Sequence, residues 1–242
     1  FKTEINNGLK ESKTELTKLN GLNDFVSDPV KIEEEDYGEV SSYGIAFTPL
    51  FLSIGLWVGA LMCYVVLYYD QRHRFGKLDY NAKNKILQNL MYIGIGLIDG
   101  VVTGLVLKFG LGFDVTNMGV YLLECAITGG VFMTIIQFLI RNFGDIGKFL
   151  ALIILVLQLA AAGGTFPVET IDKGFRFLNP LLPMTYTIKV FKECLISTST
   201  NFIGKNTLVL IGFAVVLGVI TLGVEIIKMK KEKNNAKDAK NA

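Results

Sequence analysis

The feature that most limits what this chain can fold into is an apolar helix that stops too soon. Phe149 to Ala162, FLALIILVLQLAAA, reads as the start of a membrane-spanning helix. A bilayer core about 30 Å thick needs roughly 20 helical residues, and this run is broken by Gly163, Gly164 and Pro167 after 14. Glycine is a poor helix residue, and proline removes a donor and kinks or ends a helix. The adjoining segment, TFPVETIDKGFRFLNPLLPMTY, is too polar for a span and too apolar for an ordinary loop. Non-helical backbone at membrane depth survives only where protein or a water-filled cavity satisfies it. The stretch therefore caps or dips into a helix bundle at one face of the bilayer.

The charges beyond the break decide for a turn. Glu169, Asp172, Lys173 and Arg176 come at once, and Pro180 and Pro183 break the chain again. Two short helices are expected, around Thr170 to Leu178 and Met184 to Ile196, lying across the mouth of the bundle. They should bury Ile171, Phe175, Ile188 and Phe191 against the spans. In the second, Met184, Ile188, Phe191 and Leu195 line one helical face while Lys189, Lys192 and Glu193 lie off it, the pattern of a helix in the interface with its charges snorkelling to water.

Hydropathy places the other spans. With 51% hydrophobic residues and a mean hydropathy of +0.44, the composition is that of a polytopic membrane protein. Apolar segments at about 46–69, 86–107, 115–140, 149–167 and 207–227 give five spans within a membrane domain of 46–227. Pro49 is read as lying in the first turn of the first span, where proline is tolerated. Residues 1–45 form an acidic segment, with ten Asp/Glu against five Lys over residues 1–40. Ile5, Leu9, Leu16 and Leu19 recur there at helical spacing, as in the end of a stalk. The run Glu33 to Asp36 reads as a solvated linker. Residues 228–242 are a basic tail with six lysines. The chain opens at Phe1 rather than Met, so it is expected to be a piece of a longer protein.

Short-loop cations set the orientation. Arg72, Arg74, Lys77, Lys83 and Lys85 lie between the first two spans, Arg141 and Lys148 between the third and fourth, and the tail ends the chain. All fall on one side, so the C-terminus is expected in the cytoplasm and the N-terminal segment outside. The basic loop and tail suit anionic lipid headgroups, at about 1 kcal/mol per Lys or Arg. The counter-signal is the segment Glu169 to Lys205, with five Lys/Arg on the outer side.

Two carboxylates lie well inside the apolar segments, Asp99 and Glu124. A charge at the bilayer centre costs about 2.5 to 3.5 kcal/mol on insertion scales, so each should face protein or water. They either mark a polar or proton-linked path, or hold helices together through hydrogen bonds, for instance to Thr103 or Thr128. Gly96, Gly100 and Gly104 form GxxxGxxxG, and Gly55 and Gly59 a GxxxG, spacings that let helix backbones approach closely. Asp99 flanks the longer stripe and points towards a neighbouring helix, of this chain or of a second subunit.

No P-loop, nucleophile elbow, HExxH or CxxC pattern occurs. The three cysteines and single histidine, His73, show no metal-ligand spacing. No enzyme machinery, cofactor, metal or nucleic-acid partner is therefore expected.

The runs GGTFPVE (Gly163 to Glu169), NPLLPMTY (Asn179 to Tyr186) and SYGIAFTPLFLSIGLWVGALM (Ser42 to Met62) resemble the YhgE/Pip, or phage infection protein, family. More broadly the chain is similar to the permease half of ABC-2 type exporters. The resemblance implies an all-α membrane domain with two short outer helices before the last span, the break spanning Gly163, Gly164, Pro167, Glu169, Pro180, Pro183 and Tyr186. It also implies one earlier span and a long extracellular region upstream. Two roles fit: export or secretion with a separate ATP-binding subunit and a dimeric bundle, or anchoring of a stalk used by phage or by type VII secretion machinery.

Overall fold

The computed structural model describes residues 7, 9, 10, 13, 43–74, 82–115, 117–164, 172–195 and 203–241. The chain divides into two units, Phe1–Tyr37 and Gly38–Ala242. In the first, residues 7, 9, 10 and 13 are helical and Leu9 is exposed. Ile5, Leu16, Leu19 and the acidic run at 33–36 lie outside the described residues.

The second unit is a helix bundle. Its elements are α1 (Tyr43–Arg74), α2 (Ala82–Leu111), α3 (Met118–Phe143), α4 (Asp145–Ala161), α5 (Lys173–Leu178), a 3-10 turn (Asn179–Leu181), α6 (Pro183–Leu195) and α7 (Ile203–Asn241). Among the described residues, four helices are long and apolar enough to cross a membrane, over Gly44–Leu67, Ile86–Leu111, Met118–Phe143 and Ile203–Lys228. The fifth expected span is α4, which at 17 residues and 1.5 Å per residue reaches about 25 Å. It ends at Ala161 rather than at Pro167, because the chain turns at Gly163, whose φ of +73° suits glycine. The last apolar segment continues as one helix into the basic tail, to Asn241.

Local chemistry sets these ends. The Asn117 side chain caps α3 by accepting from the Gly119 and Val120 amides. Gly144, at φ +62°, is the single residue between α3 and α4, closing the first and opening the second. Asp172 caps α5 by accepting from the Gly174 amide. Pro49 lies inside α1, not in its first turn, since that helix begins at Tyr43. Its ring leaves the Ile45 carbonyl without an amide partner, and Thr48 and Ser53 bond back to Gly44 and Pro49 carbonyls around it.

The core is built around α3, which packs against α1, α2, α4, α6 and α7. Trp57 of α1 stacks edge-on against Phe132 of α3 at 5.0 Å and donates to the Ala151 carbonyl of α4. Tyr64 and Tyr92 pair at 4.7 Å between α1 and α2. Burying an aromatic side chain contributes on the order of 2 to 3 kcal/mol in water, but lipid removes that drive, so packing and hydrogen bonds hold these helices. Because α4 returns the chain to the end where α3 began, and α5 and α6 keep it there, α7 runs parallel to α3. Glu124 faces Thr207, Thr134 faces Gly218, and Arg141 meets Glu225.

The two expected short helices are present, with corrections. Ile188 and Phe191 are buried as expected, but Phe175 is 39% exposed and α5 buries no residue. Ile171 lies outside the described residues. Glu193 is buried, not off the packed face. So are Thr185, Thr187, Val190 and Cys194, because α6 contacts α1, α3, α4 and α7 rather than lying along the surface. Lys189 alone of the three named charges is exposed, while Lys192 is half-buried, its ammonium held below the usual lysine range by burial.

Candidate functional site: polar groups inside the bundle

The NPLLPMTY run forms the hinge between α4 and α6. Asn179 donates its amide to the Ala161 carbonyl at 2.6 Å, satisfying one of the orphan carbonyls that any helix end exposes. Thr185 donates to the Asn179 carbonyl, and the Tyr186 hydroxyl to the Pro180 carbonyl. Thr187 of α6 donates to Ser53 of α1 at 2.9 Å. A Cβ on Gly164 would fall 2.6 Å from Leu50 and 3.1 Å from Ile188, so glycine there lets the returning chain pass between α1 and α6. Pro167 and Glu169 lie outside the described residues, while Pro180 is exposed in the 3-10 turn and Pro183 buried as the first residue of α6. Gly163, Gly164 and Tyr186 thus carry geometry, not chemistry.

The glycine stripes divide between two neighbours. Gly96, Gly100 and Gly104 face α3: added Cβ atoms would lie 2.7 Å from the Gly129 carbonyl oxygen, 2.1 Å from that of Cys125, and 2.8 Å from the Cys125 sulfur. On α1, Gly59 faces Asp99, whose Oδ2 would lie 2.8 Å from an added Cβ, and Gly55 faces Thr103 more loosely at 4.0 Å. The neighbour of Asp99 is thus α1 of the same chain. Asp99 stands at the middle of the Ile86–Leu111 segment. Its Oδ2 is buried with no hydrogen-bond partner among the described residues.

Glu124 bonds not Thr128, one turn onward, but Thr207 of the last helix. Thr207 Oγ1 lies 2.9 Å from both Glu124 carboxyl oxygens and 2.9 Å from the Ile203 carbonyl. One hydroxyl hydrogen cannot serve three acceptors. A carboxyl that donates its own hydrogen to Thr207, which passes its hydrogen to Ile203, satisfies the chain. Glu124→Gln, which keeps a donor, should therefore retain nearly all stability. Glu124→Leu should strand only the surface of Thr207 and lose about 1 kcal/mol. Reversible unfolding of the purified protein in detergent measures both, and a Gln variant less stable than the Leu variant would refute the arrangement. Thr128 stays buried, its hydroxyl without a hydrogen-bond partner among the described residues.

Sequence reasoning missed two features. Arg141, read as a loop cation, pairs with Glu225 of α7 at 2.8 Å, and both side chains are largely buried. Arg141 also donates to Gln88, Gln137 donates to Asn89, and Asn89 lies 3.5 Å from Glu225. The signal was Glu225 itself, a carboxylate within the last apolar segment. Gln158, passed over inside FLALIILVLQLAAA, is fully buried with both amide ends unpartnered among the described residues. The last helix is thus fastened to α3 at Glu124–Thr207 and at Arg141–Glu225, 17 residues apart on α3. Cys194, close below the first fastening, is an inert thiol that burial pushes up to about 12.

Long apolar helices around a central buried one, with polar fastenings inside, define a multi-pass α-helical membrane protein. Residues 45–222 match the EsaA helical domain, and the chain belongs to that family. It is 34% identical over 212 residues to uncharacterized protein YhgE of Bacillus subtilis (strain 168), covering 86% of this chain and 27% of that protein. It is 24% identical over 242 residues to type VII secretion system accessory factor EsaA of Staphylococcus aureus (strain USA300), covering 96% of this chain and 23% of that protein. The chain therefore spans about a quarter of the length of these relatives. No solved structure matches.

Proposed function

We propose that this chain is the membrane domain of a cell-envelope protein that takes part in secretion across the bacterial cell membrane, as an accessory anchor and scaffold. The relationship to a named type VII secretion accessory factor supports the secretion role. The observation that carries the scaffold reading is the filled centre of the bundle. Trp57, Phe132, Met133 and Ile136 are fully buried there, at the packing of a protein interior rather than a conduit. The partners proposed are secretion-machinery components and membrane lipid. Replacing residues 45–222 of the full-length protein with an unrelated five-helix membrane bundle should remove about nine-tenths of the affected proteins from the culture medium, as read by mass spectrometry. An unchanged set of secreted proteins would overturn the proposal.

A second reading, an ABC-2-like permease half acting as a homodimer with a separate ATP-binding subunit, is favoured by the short helices α5 and α6 before the last long helix. It requires that export fail when the ATP-binding neighbour is deleted; the scaffold reading does not.

The orientation proposed places the N-terminal segment outside and the basic loop and tail in the cytoplasm. Cysteines at Lys77 and Lys237 should then resist a membrane-impermeant thiol reagent on intact cells, and a cysteine at Asp28 should label. Equal labelling at Lys77 and Asp28 would reject this orientation.

A further inference from the structure

We propose that the crevice between α1 and α2 at Asp99 is a docking seam for a membrane-spanning helix of another protein, one that carries a hydrogen-bond donor or cationic side chain at mid-membrane depth. Asp99 stands at the middle of an apolar 26-residue segment. Its Oδ2 is buried and unpartnered among the described residues, with the bare backbone of Gly59 opposite it. The carboxyl is not sealed inside the bundle. Asp99, Gly59 and Cys63 are each half-buried, and Gly55 is exposed beside them. Met62 on α1 and Ile98 on α2 project outwards on either side.

Gly55 is exposed beside Asp99, so an incoming backbone can come close there, as small residues allow between membrane helices. Asp99 Oδ2 is an acceptor without a donor among the described residues. A carboxyl at this depth is stable only when it faces protein or water, and the side facing outwards from α1 and α2 supplies neither. Charge complementarity therefore selects the occupant: an apolar helix bearing one donor, with lysine, arginine or asparagine the side chains that reach. Glu124 and Glu225 do not create a second such seam, since each has its partner within the chain. The inference depends on the membrane placement of α1 and α2 and stands apart from the secretion role.

The test uses the whole chain in phosphatidylcholine vesicles with a fluorescent donor fused to its C-terminus. The probe is a synthetic membrane-spanning leucine–alanine peptide with one central lysine and an acceptor dye. Energy transfer should show the lysine peptide associating about tenfold more tightly than the same peptide with a central leucine, the size of one interhelical polar contact. Asp99→Asn, which preserves shape, should lose most of that preference and Asp99→Leu all of it. Gly55→Val, whose added side chain lies beside Thr103 and clear of Asp99, should block both peptides while leaving the carboxyl in place. Equal association of the two peptides, or an unchanged preference in Asp99→Leu, would overturn the proposal. So would a Met62→Cys variant that cross-links to itself and excludes the lysine peptide, since a second copy would then cover the seam.

Discussion

Gly100→Ala should separate α2 from α3 and destabilise the bundle. A Cβ at that position would stand 2.1 Å from the carbonyl oxygen of Cys125 and 2.8 Å from its carbon. Both are backbone atoms of the most buried helix, so no side chain can swing aside. The same crossing brings Gly129 within 2.2 Å of the Gly96 carbonyl oxygen when a Cβ is built on it. Overpacking of this kind costs about 1 to 3 kcal/mol and sometimes more, against a gain of about 1 kcal/mol from replacing glycine with alanine in a helix. The net loss should be about 2 kcal/mol for Gly100→Ala, and Gly100→Leu should not fold. Gly94 and Gly110 lie on the same helix with open space around them. Alanine there should be neutral or stabilising by up to about 1 kcal/mol. Unfolding in mixed micelles ranks the four variants, and a Gly100→Ala protein as stable as Gly94→Ala would show that α2 and α3 do not cross at these glycines.

Removing Arg141 should be still more damaging. Its guanidinium lies 2.8 Å from Glu225, with side-chain exposures of 9% and 14%. Breaking a buried pair by taking away one partner typically costs about 3 to 5 kcal/mol, because the other charge is left without compensation. Arg141→Met should therefore lose about 3 kcal/mol and much of its expression. The double variant Arg141→Met/Glu225→Met should recover most of it, since apolar replacement of both partners is often neutral. That recovery separates an ion pair from a mere packing role. If the double variant is as unstable as the sum of the singles, Glu225 does not fasten α7 to α3.

Local patterns were legible in the residues alone because they act over a few positions. Hydropathy marked the four long apolar segments, and the glycines and prolines from Gly163 to Pro183 marked where α4 had to end and where α5 and α6 had to form. The GxxxG spacings announced close helix contacts, since a missing side chain is visible without its neighbour.

Partners were not legible, because each is decided by which helix lies opposite. Glu124 is 83 residues from Thr207, and nothing near either residue names the other; its own helix offered only Thr128, one turn onward. Arg141 looked like a loop cation because its own surroundings are polar, and only the return of α7 parallel to α3 buries it against Glu225. The same return drew α6 into the bundle and buried Glu193, where its amphipathic spacing alone placed it at the surface. The sequence by itself determined which segments are helices, where the chain must turn and which faces are small enough to touch. Only the tertiary structure decided which faces do touch, and so which polar groups are satisfied and which, like Asp99, are left without a donor.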